Sequence, residues 1–210
     1  MKSNKTCTRK QAFTLIELLA VIAIIGILFT LVSPQIGKAR MRAKLTEQAA
    51  KARYIVEAIT AYESGSRFST GWPKSGETNT ATSTEFLVSL VEGGYLDVDY
   101  SFFAGPGMRP AIDQTDFEQN GAECNGWSIL CDLNDATPGN LPVVFMASYN
   151  ITGGGFSSAV IPIGEKGFVF ATKNGEAIVL EERDMSGENF DSIFNKNLID
   201  DLGTISVMEP

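Results

Sequence analysis

At 210 residues the chain is long enough for one globular domain and an appendage, and its formal charge of −8 is unevenly spread: residues 64–210 hold 7 basic and 21 acidic side chains, a balance of −14. An acidic body without a basic footprint argues against nucleic acid as a partner. The absence of any histidine removes the commonest general base and metal ligand, so catalysis is not expected.

The first twelve residues carry Lys2, Lys5, Arg9 and Lys10 and no acid. Phe13–Val32 follows, a run of 20 residues whose one charge is Glu17. As a helix rising 1.5 Å per residue it spans about 30 Å, the thickness of bilayer hydrocarbon. A cleaved secretory signal has a shorter apolar region and a small-residue site after it, and neither is present here. Four basic residues precede the run, and Lys38, Arg40, Arg42 and Lys44 follow it, so the positive-inside count is nearly tied. The acidic body and its cysteines are expected outside the cytoplasm.

Pro34 interrupts the pattern beyond the apolar run, which predicts a kink or local unwinding. Helical periodicity resumes with Met41, Leu45, Ala49, Ala52, Val56 and Ile59 on one face, while Lys38, Arg42, Glu47, Lys51 and Arg53 fill much of the rest. The predicted organisation is therefore a basic leader over 1–12, a membrane helix over 13–33, its amphipathic continuation over 34–64 and a globular head over 65–210. Ser64 and Gly65 stop the helix.

In the head, Thr82 with Glu85 three positions on predicts a capped short helix burying Phe86, Leu87, Leu90 and Val91 and ending at Gly93-Gly94. From Tyr95 to Pro142 no regular element is predicted. Val143–Tyr149, Ala159–Ile163, Phe168–Thr172 and Ala177–Leu180 read as strands, and Asn174-Gly175 predicts a type I′ hairpin between the last two. The fold class is α+β, with the striped half of the long helix as the cover for a small antiparallel sheet. Gly153-Gly154-Gly155 reads as a turn, and Trp72 and Trp127 as core. Cys124 and Cys131, with six residues between them, suit a disulfide in an oxidising compartment, two free thiols being the alternative; Cys7 lies in the leader.

The segment Lys10-Gln11-Ala12-Phe13-Thr14-Leu15-Ile16-Glu17-Leu18, followed by the apolar run and Pro34, resembles the N-terminal signature of type IV pilins and type II secretion pseudopilins. In that family the residue before the cut is usually glycine, and Ala12 departs from this. The resemblance implies that a prepilin peptidase cuts between Ala12 and Phe13 and methylates the new amine, leaving 198 residues and a charge of −12. It also implies a single-pass subunit of the bacterial inner membrane with a periplasmic head. Such a subunit is taken up by an inner-membrane assembly platform into a filament of itself and related pseudopilins, with no enzymatic role.

A carboxylate in a span persists mainly where it finds a partner, and the amine of Phe13 is an available one; the resemblance implies that Glu17 neutralises the terminal amine of a neighbouring subunit. Snorkelling to the headgroups is the blander account. Gly71-Trp72-Pro73, Thr82–Leu87, Gly93–Leu96 and the Asn-Gly hairpin resemble the secretion pseudopilins in particular. Because the major pseudopilin binds calcium, we considered Asp132, Asn134 and Asp135 with Thr137, and Asp184, Glu188 and Asp191. Neither set has the spacing of a recognised calcium loop, so no cofactor is expected. The rival to a filament subunit is a bitopic membrane protein whose uncleaved N-terminus anchors a binding or enzymatic domain.

Overall fold

The computed structural model describes residues 14–65, 72–74, 81–134, 136–151, 153–202 and 206–210. They form an α+β arrangement: a long helix, α1 (Leu15–Gly65), then a head built on a five-stranded antiparallel sheet. The chain divides into two compact units, residues 1–42 and 43–210.

In the first unit α1 is helical throughout, position 34 included, so of the kink or local unwinding expected there the unwinding does not occur. Its apolar residues from Leu15 to Val32 all stand exposed.

In the second unit α1 turns from bare to packed. Leu45, Ala52, Val56 and Ile59 of the predicted stripe are buried, together with Ile55 and Ala58 on its flank. A stripe this wide suits a helix lying on a broad apolar surface. Tyr54 meets Phe102 edge-on at 6.1 Å, Tyr62 meets Phe86 and Tyr95 at 6.0 and 5.3 Å, and Lys51 lies over the Phe102 ring while donating to Ala104 O at 3.4 Å. Leu45 packs so closely on Gly167 that a side chain there would collide with it.

Helix α2 (Ser83–Glu92) is capped as predicted, the Glu85 amide donating to Thr82 Oγ1 at 3.2 Å, and Glu85 reaches back to the Ala81 amide at 3.1 Å. It buries Phe86, Leu87 and Leu90, but Val88 rather than Val91 completes the face. Two short helices, α3 (Gln114–Gln119) and α4 (Gly121–Cys124), fall where no element was predicted. Asp113 caps α3, and a bidentate Arg109–Asp116 pair at 2.7 and 2.9 Å clamps the preceding loop.

The sheet comprises β1 (Trp127–Cys131), β2 (Pro142–Met146), β5 (Gly167–Thr172), β6 (Ala177–Glu181) and β7 (Ser206–Met208), in the order β6-β5-β2-β1-β7, with a separate small hairpin of β3 (Tyr149–Asn150) and β4 (Gly155–Phe156). Every residue of β1, β2 and β5 is buried. Such runs mean that both faces of the sheet are covered, where the sequence reading supplied one cover. Gly167 faces α1; Phe168 and Phe170, on the opposite face by strand alternation, meet Phe194 at 5.7 and 5.2 Å beyond helix α5 (Gly187–Ile193). Phe145, Tyr149, Phe156 and Phe190 complete this second core. The final helix, α6, is Lys196–Leu202.

Ala159–Ile163 is not a strand. Pro162 lacks an amide for a ladder, and the segment folds into turns in which Gly164 N donates to Ile161 O at 2.8 Å. The β5–β6 hairpin forms, but its loop is Lys173–Gly175 and only Gly175 of the Asn-Gly pair takes a left-handed conformation, at φ +81°. This is the three-residue loop ending in a left-handed glycine rather than a two-residue type I′ turn. The glycine run closes the β3–β4 hairpin, with Gly154 at φ +66° and the Gly153 amide donating to Asn150 Oδ1 at 2.6 Å. Trp72 and Trp127 lie in the core, 2% and 0% exposed.

Candidate assembly site

The start of α1 carries the only acid of the apolar helix, and its side chain does not hang free. Thr14 occupies the cap position, and its Oγ1 accepts from the Glu17 amide at 3.3 Å. In return the Glu17 carboxylate accepts from the Thr14 amide at 2.9 Å and the Thr14 hydroxyl at 2.7 Å. This is a capping box: two donors that a helix start leaves unsatisfied are answered by side chains three residues apart. The positive end of the helix dipole favours the carboxylate in that turn. Both hydrogen bonds fall on Oε2; among the described residues Oε1 accepts none. The Thr-x-x-Glu spacing was there to be read in the sequence, as it was for Thr82 and Glu85.

Behind the cap stands a cylinder of apolar side chains. Leu15 is 80% exposed, Phe29 and Leu31 both 67%, and none of the hydrophobic window is buried. Its mean hydropathy of 2.9 fits a membrane span, and Thr30 hides its hydroxyl by donating to Ile27 O at 2.7 Å. With most of its backbone groups bonded inside the helix and the Thr30 hydroxyl satisfied, such a surface is compatible with lipid or with like helices.

The other residues singled out in the sequence do not gather here. Ala12 and Phe13 lie outside the described residues, as does the side chain of Pro34, whose backbone is helical. Cys124 and Cys131 are separate buried thiols, so the expected disulfide is not formed. Cys124 ends α4, whereas Cys131 ends β1, whose four extended steps carry it about 13 Å beyond Trp127. Cys131 Sγ donates instead to Ser206 O at 3.2 Å; burial, reinforced by Asp132, pushes its thiol up to about 12.

At the calcium candidates, Asp135 lies outside the described residues. Thr137 Oγ1 donates to Asn134 Oδ1 at 3.3 Å, and the Lys173 ammonium sits on Asn134 O and Thr137 O at 2.7 and 3.4 Å. Asp184 accepts from the Glu181 amide at 3.3 Å, while Glu188 and Asp191 lie on α5 along an open groove. Among the described residues no group of three or more His, Cys, Asp or Glu is placed to hold a metal ion.

Residues 7–33 match the family described as the prokaryotic N-terminal methylation motif. The match takes in the end of the basic leader, Ala12-Phe13, the Thr14–Glu17 cap and the apolar helix, so the chain carries the signal motif of type IV pilin and pseudopilin precursors. No curated protein and no solved structure matches it.

Proposed function

We propose that this chain is a filament subunit, a pilin or type II secretion pseudopilin, that is cut between Ala12 and Phe13 by a prepilin peptidase, methylated at Phe13, and polymerised through α1. The observation that carries the reading is the methylation motif at residues 7–33 laid over a helix whose apolar surface is bare on every side. A helix apolar all round is buried in lipid or among its neighbours. Membrane insertion supplies the first environment and a filament core the second.

Glu17 gains a two-sided role in this scheme. Cleavage before Phe13 leaves the Thr14 amide intact, so the cap survives processing, with Oε2 engaged by its own helix. Oε1 then receives the charged amine of a neighbouring Phe13. The pairing fixes the axial position of one helix against the next, and a repeated offset of this kind generates a helical polymer. The head faces the periplasm before assembly. It has no catalytic part.

The test is recovery of the chain in filaments sheared from cells making the matching assembly machinery. Wild type is expected in the sheared fraction, and Ala12→Glu and Glu17→Val only in membranes. Retention of all three in membranes, wild type with its leader intact, would instead indicate a bitopic protein with a permanent anchor.

A further inference from the structure

Between Leu18 and Thr46 there is no acidic residue, yet Lys38, Arg40 and Arg42 crowd into barely more than one helical turn directly after the apolar run. All three side chains are exposed, and Lys38 and Arg40 make no ion pair among the described residues. Their placement around α1 is informative. At about 100° per residue, Lys38 and Arg42 share one side while Arg40 stands about 200° from Lys38, on the other. The charges therefore ring the helix instead of lining a face.

A flat protein partner, including the acidic head of a second copy, meets one face of a helix and would be served by a one-sided stripe. A ring is suited to a medium that surrounds the helix on all sides. The depth agrees: if the apolar run fills the hydrocarbon, Lys38 lies six residues, or about 9 Å, beyond Val32, at the outer edge of a headgroup layer roughly 5 to 8 Å thick, and helix side chains lean back toward the N-terminus and so toward that layer. The alkyl stems of Lys and Arg reach along the helix while their heads meet phosphates.

We propose that Lys38, Arg40 and Arg42 form a cationic collar that binds anionic phospholipid headgroups on the head side of the membrane and sets the depth of the subunit before assembly. The proposal rests on the membrane-inserted reading above and adds a lipid class to it. It also gives extraction into a filament an electrostatic step, since the collar must leave the headgroups as the helix moves outward.

The full chain, reconstituted in vesicles of phosphatidylcholine mixed with phosphatidylglycerol, tests it. After an alkaline carbonate wash, protein is extracted in mild detergent and the retained lipids are counted by native mass spectrometry. Wild type is expected to enrich phosphatidylglycerol at least tenfold more than the K38Q/R40Q/R42Q variant, given about a fivefold effect for each basic residue at an anionic surface. A charge-conserving K38R/R40K/R42K variant keeps the enrichment; glutamine is as good a helix former as lysine, so the comparison does not turn on folding. Equal enrichment in wild type and the glutamine variant overturns the collar. So does unchanged enrichment together with loss of cross-linked dimers, which would assign the charges to a second copy. Failure of wild type to stay with carbonate-washed vesicles would sink the membrane reading itself, a separately visible result.

Discussion

Thr14 and Glu17 close a reciprocal hydrogen-bonded pair across the first turn of α1, at 2.7 to 3.3 Å, using one carboxylate oxygen and leaving the other without a partner among the described residues. The acid of the apolar helix is thus both a structural cap and a charge presented at the helix end. The two roles separate by substitution.

Glutamine at the third helical position still completes a capping box, but it carries no charge. Glu17→Gln is therefore expected to keep the helix start, membrane insertion and N-terminal cleavage, and to lose filaments as Glu17→Val does. Recovery in the sheared fraction, with cleavage followed by mass, reads both. Filaments formed at wild-type level by Glu17→Gln would mean that capping alone is what Glu17 supplies.

The second core, on the sheet face away from α1, predicts a stability contrast. Phe194 is fully buried against Phe145, Phe168 and Phe170, so Phe194→Ala should destabilise the head by about 3 to 5 kcal/mol. Ile112 is 86% exposed, and Ile112→Ala should stay within about 0.5 kcal/mol of wild type. Urea unfolding followed by far-UV circular dichroism measures both.

Lys173 holds the 134–137 loop by its carbonyls, the position a bound cation would take. We expect added calcium to leave the melting temperature unchanged, and Lys173→Met to lower it through a loss of at most about 1.5 to 3 kcal/mol of stability, the cost of losing hydrogen bonds to a charged donor. A calcium-dependent rise in wild type would assign the loop to the metal after all.

The thiols give a pH dependence with a definite sign. Cys131 is pushed up to about 12 by burial, whereas an unfolded thiol ionises near 8.5. The folded state thus holds its proton more tightly, and this stabilisation is fully present below about 8.5 and lost as pH rises toward 12. Urea midpoints should fall between pH 8 and 10 in wild type and fall less in Cys131→Ala. Native protein should resist alkylation at both Cys124 and Cys131 and take up two labels on unfolding.

What the sequence disclosed, and what it hid, follows from how each element meets its surroundings. The apolar run and the Leu45–Ile59 stripe were legible because a bare helix and a one-sided helix write their environment directly into spacing. The β5–β6 hairpin was found from Asn174-Gly175, although a flanking Lys173 lengthened the loop. β1 escaped because Trp127–Cys131 is covered on both faces and so lacks alternation, and it sits in a stretch dense in Gly, Asn and Asp. α5 escaped for being short, though Phe190 and Phe194 at a spacing of four were its one signal. At the site, Glu17 was read for its rarity in an apolar helix, while Thr14, three residues earlier, was passed over as its partner.

The most direct test is the intact mass of the natural protein extracted from membranes of cells assembling filaments. The account predicts a chain that begins at Phe13 with one added methyl group and two unbridged thiols. A polypeptide retaining Met1–Ala12 while filaments form normally would contradict it.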